Sequence, residues 1–296
     1  MKFNNPHIGK EPGTIRDPYI VLIEDTYYLV GTSPAYWEGY TPGVRMWSSK
    51  DLIDWKFEGV VWSADDMGED DWCKNRFWAP ELFAYKGKYY ITASCRNEKN
   101  GTPFGMFLAV ADCVTGPYQM ASKEPIHANG IDAHFFLDDD GEVYFFCGGD
   151  LLCNGQNGIY MGKFDMENLC LKEPLHMAIP KGTEGEWDSI GIEGPAVVKR
   201  DGIYYLWYSS WTRGYEMGWA TTDDLRKPFT KWPQNPVISG TCERFDAAGH
   251  NGAFRLKDGR DAISYHAHKR GEIEQMCIDL VSYPMESRTP ILEIEV

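Results

Sequence analysis

One short unit recurs five times along the chain, and this recurrence limits the fold more than any other feature. Residues 192–210, IEGPAVVKRDGIYYLWYSS, hold a polar head, an apolar run, the turn Asp201-Gly202 and a second run rich in aromatics. The same order appears in residues 15–33 (IRDPYIVLIEDTYYLVGTS), 78–94 (WAPELFAYKGKYYITAS), 131–149 (IDAHFFLDDDGEVYFFCGG) and 249–268 (GHNGAFRLKDGRDAISYHAH). Their turns are Glu24-Asp25, Lys86-Gly87, Asp140-Gly141 and Asp258-Gly259. Asp-Gly pairs suit tight hairpins, because a two-residue connection needs positive φ at its centre. The five heads, Asp17, Glu81, Asp132, Glu193 and Asn251, lie 64, 51, 61 and 58 residues apart.

A second pattern follows the first. Residues 43–57 (GVRMWSSKDLIDWKF), 106–120 (MFLAVADCVTGPYQM), 159–171 (IYMGKFDMENLCL) and 217–232 (MGWATTDDLRKPFTKW) each read as a strand, a polar turn and a short strand. Residues 274–291 match more loosely. Two hairpins per repeat make four antiparallel strands, and five such repeats predict an all-β fold, a five-bladed β-propeller. No segment keeps a helical period, so long helices are not expected. Five blades use residues 1–296 as one catalytic domain and leave no room for another.

Radial geometry gives the acidic heads a meaning. The innermost strand of each blade faces the central channel, so heads far apart in sequence converge on one mouth. Asp17 before Pro18, Asp132 before Ala133 and Glu193 before Gly194-Pro195 would share one water-poor pocket. Carboxylates gathered in this way repel and shift one another's pKa, which a fold does not maintain for stability alone. Glu81 follows Pro80 and falls one position later in its motif.

Arg16-Asp17-Pro18 in the first repeat, Asp132 heading the third and Glu193-Gly194-Pro195 heading the fourth resemble glycoside hydrolase family 43. Trp78-Ala79-Pro80 and Gly249-His250-Asn251 fit the same pattern, and the likeness covers essentially the whole chain. The resemblance implies inverting cleavage of β-xylosides, α-L-arabinofuranosides, arabinan or some galactans. It implies Asp17 as general base, Glu193 as general acid, and Asp132 as the residue that raises the acid's pKa and positions it. Inversion requires the two acting carboxyls to stand roughly 6.5–9.5 Å apart, leaving room for a water. The resemblance also places His250 in the channel, where it binds calcium directly or through water; the other reading is a hydrogen-bonded buried histidine. No cofactor is required for the reaction.

Other residues have smaller claims. Trp78 lines the sugar site or belongs to the core. Glu81 is structural or contacts substrate. Trp37, Tyr36 and Tyr40 lie in a loop at the channel mouth and are candidates for substrate contact, as are Arg16 and His266. His266 and His268 fall on one side of a strand, but no third ligand completes a zinc site. Glu184 and Glu186 read as solvated loop residues. Two other classes stay open: a propeller that binds sugar or protein without catalysis, and a five-bladed glycoside phosphorylase. The second needs a phosphate-binding cluster, for which Arg16, Arg76, Arg96, Arg213 and Arg270 are available.

Composition narrows the partners. A formal charge of −15 argues against nucleic acid and anionic membranes. There is no apolar run of about 18 residues, the least a membrane span needs. The opening residues MKFNNPHIGKEPG lack an apolar segment, so a cytoplasmic protein acting on short oligosaccharides from xylan or arabinan is expected, or a secreted one whose leader has been removed. The eight cysteines show no C-x-x-C spacing, so reduced thiols rather than a metal or redox site are expected. Nothing in the composition sets an oligomeric state.

Overall fold

The computed structural model describes residues 3, 5–7, 10–149, 157–239, 245–268 and 273–293. Each repeat folds into an antiparallel sheet. The first blade holds β1 (Arg16–Ile23), β2 (Thr26–Thr32), β3 (Gly43–Ser49) and β4 (Lys56–Ser63). The second holds β5 (Asn75–Tyr85), β6 (Lys88–Arg96), β7 (Gly105–Ala111) and β8 (Gln119–Met120). In the third, β9 (Gly130–Leu137), β10 (Val143–Gly149) and β11 (Gly158–Asp165) are followed by β12 (Cys170–Leu171) and β13 (His176–Pro180), which both pair with β11. The fourth comprises β14 (Ile192–Arg200), β15 (Ile203–Ser210), β16 (Glu216–Thr222) and β17 (Thr230–Lys231). The fifth comprises β18 (Ala247–Arg255), β19 (Asp261–His268), β20 (Gln275–Ser282) and β21 (Ile291–Glu293). The five-bladed propeller expected from the repeats is present, with one extra strand in the third blade. Among the described residues the helical content is a single 3₁₀ turn, Ala64–Asp66, capped by Ser63. None of these residues forms a helix long and apolar enough to cross a membrane.

The turns behave as their residues dictate. Lys86 and Gly87 have φ of 47° and 76°, and Asp201 and Gly202 have 50° and 77°, as a two-residue hairpin with strand-like twist requires. Between blades the packing is aromatic. Trp62 stacks on Phe107 at 4.6 Å between blades one and two, and Phe83 on Phe135 at 5.6 Å between two and three. Phe136 meets Tyr204 at 5.9 Å, Tyr205 meets Tyr283 at 4.7 Å, and Tyr27 meets Phe254 at 6.2 Å around the rest of the ring. Much of the chain's aromatic content is therefore core, each such pair adding about 0.5–1.5 kcal/mol beyond burial. The N-terminal residues close the ring on blade five: Asn5 exchanges hydrogen bonds with Ile278, and His7 N–H donates to Met276 O.

The inner strands share one irregularity that creates the site. Each carries a residue with left-handed φ: Asp17 (51°), Ala79 (43°), Asp132 (60°), Gly194 (60°) and His250 (51°). The ladder with the second strand slips at these points. A bulge of this kind re-aims the side chains around it. The equivalent positions therefore differ from the heads read in the sequence. Glu81 stands two residues past its bulge, Asn251 one past, and Glu193 one before. The physical reason is that the bulge, and not the first polar residue, sets which side chain enters the channel.

Candidate active site

Side chains at the bulges and just before them open onto one cavity, and Glu193, before its bulge, is more exposed than Asp17 and Asp132, at theirs. Arg16, Trp78, Ile131 and Glu193, all preceding bulges, line a cavity of about 370 Å³. Asp17, Asp132 and His250, at the bulges, line the same cavity. Glu193 is thus one rung nearer the mouth than Asp17 and Asp132. This answers why an acidic residue opens a buried strand: it belongs to the rim of a pocket. Gly194 stands behind it with a left-handed φ of 60°, and a Cβ there would lie 3.2 Å from the His250 ring.

The bulges would leave backbone N–H groups unpaired, and buried unpaired donors are costly. The second strand of each blade solves this for the next blade. Thr32 Oγ1 accepts from Ala79 N–H at 2.6 Å, Ser94 Oγ from Asp132 N–H at 2.8 Å, and Ser209 Oγ from His250 N–H at 2.7 Å. Blade five completes the circle, where His266 Nδ1 accepts from Asp17 N–H at 3.1 Å. In blade three the capping position is Gly148, where a Cβ would come 3.6 Å from Glu193 Cα. There Gly194 N–H donates to Asp132 Oδ2 instead, at 3.0 Å. These hydroxyl caps were not anticipated. The available signal was the Thr or Ser that ends the second run in repeats one, two and four.

Charge is distributed unevenly over the cluster. His250 Nδ1 lies 3.2 Å from Asp17 Oδ1 and 3.9 Å from Glu193 Oε1. Burial disfavours the imidazolium, but Asp17, Asp132 and Glu193 outweigh it and raise His250 to about 10. Burial likewise works against an ionised Asp17, yet the His250 charge holds its carboxyl well below the usual range. The Thr32 hydroxyl donates to Asp17 Oδ2 at 2.5 Å, which favours the same ionised state. Asp132 goes the other way: burial, with the charges of Glu193 and Asp17, raises it to about 7 against the pull of His250. One carboxylate is therefore held ionised, while a second, beside Glu193, keeps its proton to near neutral pH.

The walls are aromatic. The Trp78 ring stacks on Phe104 at 4.5 Å and meets Trp37 edge-on at 5.2 Å, and its Nε1–H donates to Tyr36 O. Trp37 is 60% exposed at the rim. Arg16 lies 5.2 Å from the Trp37 ring centre and pairs with Glu274 at 2.9 Å. Trp211 and Tyr215, absent from the sequence reading, complete the wall. Tyr40 instead bonds to Asp65, and Glu184 and Glu186 are exposed loop residues.

Two candidate substrate contacts, Glu81 and His266, do not line the cavity. Glu81 is buried below the cavity, bonded to His134 Nδ1 at 2.8 Å, because it lies two residues past the bulge. Burial raises its carboxyl, against the His134 and Tyr19 bonds. His266 is buried behind Asp17 as the cap of that residue's N–H, and burial lowers it to about 4.

The arginines do not gather as a phosphate site among the described residues. Arg76 and Arg96 both pair with Glu98, and Arg213 pairs with Glu216. Arg270 lies outside the described residues. Asp132, Glu193 and His250 do bring ligand atoms within 4.8 Å of one another. Calcium takes six to eight oxygens, whereas this group offers two carboxylates and an imidazole nitrogen. Water would have to supply most of that shell, as the reading of His250 expects, and no step of the reaction is assigned to a metal.

Five blades around a channel whose mouth gathers three carboxylates and a histidine define a propeller with an acid–base centre. The chain belongs to the glycosyl hydrolases family 43, whose model matches residues 4–285. It is similar to a xylan 1,3-beta-xylosidase of a Vibrio species, 29% identical over 273 residues that cover 86% of this chain and 48% of that protein. A xylosidase/arabinosidase of Butyrivibrio fibrisolvens is 30% identical over 249 residues, 80% of this chain and 44% of its own. The chain thus spans about half the length of these curated relatives. The crystal structure of a thermostable family-43 glycoside hydrolase superposes with a TM-score of 0.83 at 27% identity, covering 95% of this chain and 93% of that one.

Proposed function

We propose that the chain hydrolyses terminal β-D-xylosidic or α-L-arabinofuranosidic bonds of short oligosaccharides, with inversion and without a cofactor. The observation that carries this is that Asp17, at its bulge, and Glu193, one residue before its own, line a single aromatic-walled cavity. Asp17, held ionised, is the general base that takes a proton from the attacking water. Glu193, nearer the mouth where the leaving sugar exits, donates the proton to the glycosidic oxygen. Asp132 bonds to Gly194 N–H and so positions the strand that carries the acid. Relatives named for xylosidase and arabinosidase activity support the pentose assignment.

The test is hydrolysis of p-nitrophenyl β-D-xyloside, α-L-arabinofuranoside and β-D-galactoside in the presence of EDTA. Proton NMR during the first minutes reads the anomer released. Turnover of a pentoside with inverted product is expected. Retained configuration, or loss of activity on chelation, would overturn the mechanism.

A further inference from the structure

A second rung of side chains lies under the catalytic one. Two residues past each bulge stand Tyr19, Glu81, His134, Ala196 and Gly252. Blades four and five place small residues there. Blades one to three place a tyrosine, a carboxylate and an imidazole, and Glu81 and His134 are only 8% and 4% exposed. Burying a carboxylate is expensive unless it is well bonded. Apolar side chains would fill this space at lower cost, so the polar set calls for another explanation.

We infer that Glu81 and His134 are positioning residues for the proton donor, holding the strand of Glu193 in register through the Val197 N–H. This rests on the assignment of Glu193 as general acid. The β14 ladder slips between Glu193 and Ala196, and Pro195 has no N–H to offer. Two channel-facing donors secure this stretch, and both reach blade three. Gly194 N–H bonds to Asp132 Oδ2, and Val197 N–H bonds to His134 Nε2, each at 3.0 Å. The first bond goes to a carboxylate that lines the cavity, the second to an imidazole that does not.

The bond to Val197 dictates the tautomer of His134. Nε2 accepts, so its lone pair faces the backbone and the ring proton sits on Nδ1. Nδ1–H then donates to Glu81 Oε2 at 2.8 Å. Burial, together with the neighbouring Glu81, raises the Tyr19 hydroxyl well above its usual range. A carboxylate behind an imidazole fixes both the tautomer and the ring orientation. Blade two thereby orients a ring in blade three, which holds the acid-bearing strand of blade four.

The experiment uses Glu81→Gln, an isosteric change that preserves volume. A glutamine amide can donate to Nδ1, so His134 can take its proton on Nε2, where it opposes Val197 N–H. His134→Leu is the second variant, filling the space with no acceptor. Both are compared with Glu193→Gln on the methyl and 2,4-dinitrophenyl glycosides of whichever pentose the enzyme turns over. Misplaced acid hurts the methyl glycoside, whose leaving group needs protonation, and spares the dinitrophenyl one. Glu81→Gln and His134→Leu are expected to lower kcat on the methyl glycoside roughly 10–10²-fold, the scale of an ångström misplacement, with KM little changed. On the dinitrophenyl glycoside both should stay within about threefold of the parent enzyme, since protonation contributes little there. ¹⁵N NMR should show His134 protonated on Nδ1 in the parent and not in Glu81→Gln. Equal losses on both substrates, or no loss on either, would overturn the inference. If Glu193→Gln itself lacks the leaving-group dependence, the acid assignment fails. If Glu193→Gln shows it and both other variants do not, only the positioning role fails.

Discussion

Gly194→Ala tests whether the bulge behind Glu193 shapes the site. Gly194 has φ of +60°, a conformation that costs an L-residue roughly 1–2 kcal/mol. The added Cβ would stand 3.2 Å from Cγ and Nδ1 of His250 and 3.3 Å from its Cδ2. The ring must yield by a few tenths of an ångström, yet it is held 3.2 Å from Asp17 Oδ1. Overpacking of this kind adds roughly 1–3 kcal/mol. Gly202→Ala is the matched control. Its φ is +77° on the same hairpin, but its Cβ would meet nothing within 4 Å. Urea unfolding should show Gly202→Ala destabilised by about 1–2 kcal/mol with unchanged kcat/KM. Gly194→Ala should lose roughly 1–3 kcal/mol more, and its kcat/KM should fall by on the order of tenfold or more, as His250 is displaced. Equal stability and equal activity in the two variants would refute the argument that the ring packs against this backbone.

The pH dependence follows from Asp132, whose carboxyl is raised from 3.8 to about 7. A raised pKa means the folded state binds the proton more tightly, so stability from this group is full below about 4 and is lost as pH rises toward about 7. Asp132→Asn should therefore gain in Tm relative to the parent between acidic and mildly alkaline buffer; an unchanged difference across that range would refute the raised carboxyl. Trp37→Ala, at a rim position 60% exposed, should raise KM several-fold and change stability by no more than about 0.5 kcal/mol; an unchanged KM would remove Trp37 from the substrate path. Phe107→Ala, at the fully buried stack between blades one and two, should cost about 3–5 kcal/mol in urea unfolding. A cost below about 1 kcal/mol would mean the wedge does not hold the blades.

Alternating runs, Asp-Gly and Lys-Gly turns and the five-fold spacing were enough to identify the blades, because strand and turn formation depend on near neighbours. Asp17, Asp132 and Glu193 were also legible, as carboxylates standing where a buried strand begins. Their relative depth was not. Glu193 looks equivalent to Asp17 in the sequence, yet it stands one rung higher, since the bulge falls on Asp17 itself in blade one and on Gly194 in blade four. Each bulge is stabilised by a cap from the preceding blade, and the partners can be as distant as Asp17 and His266, 249 residues apart. The same cause moved Glu81 and His266 from the substrate wall to supporting places. It also brought in His134, which has no motif to mark it. The local pattern determined which residues form strands, and only closure of the ring decided which of them face the sugar, because the donors and acceptors that set each bulge come from another blade.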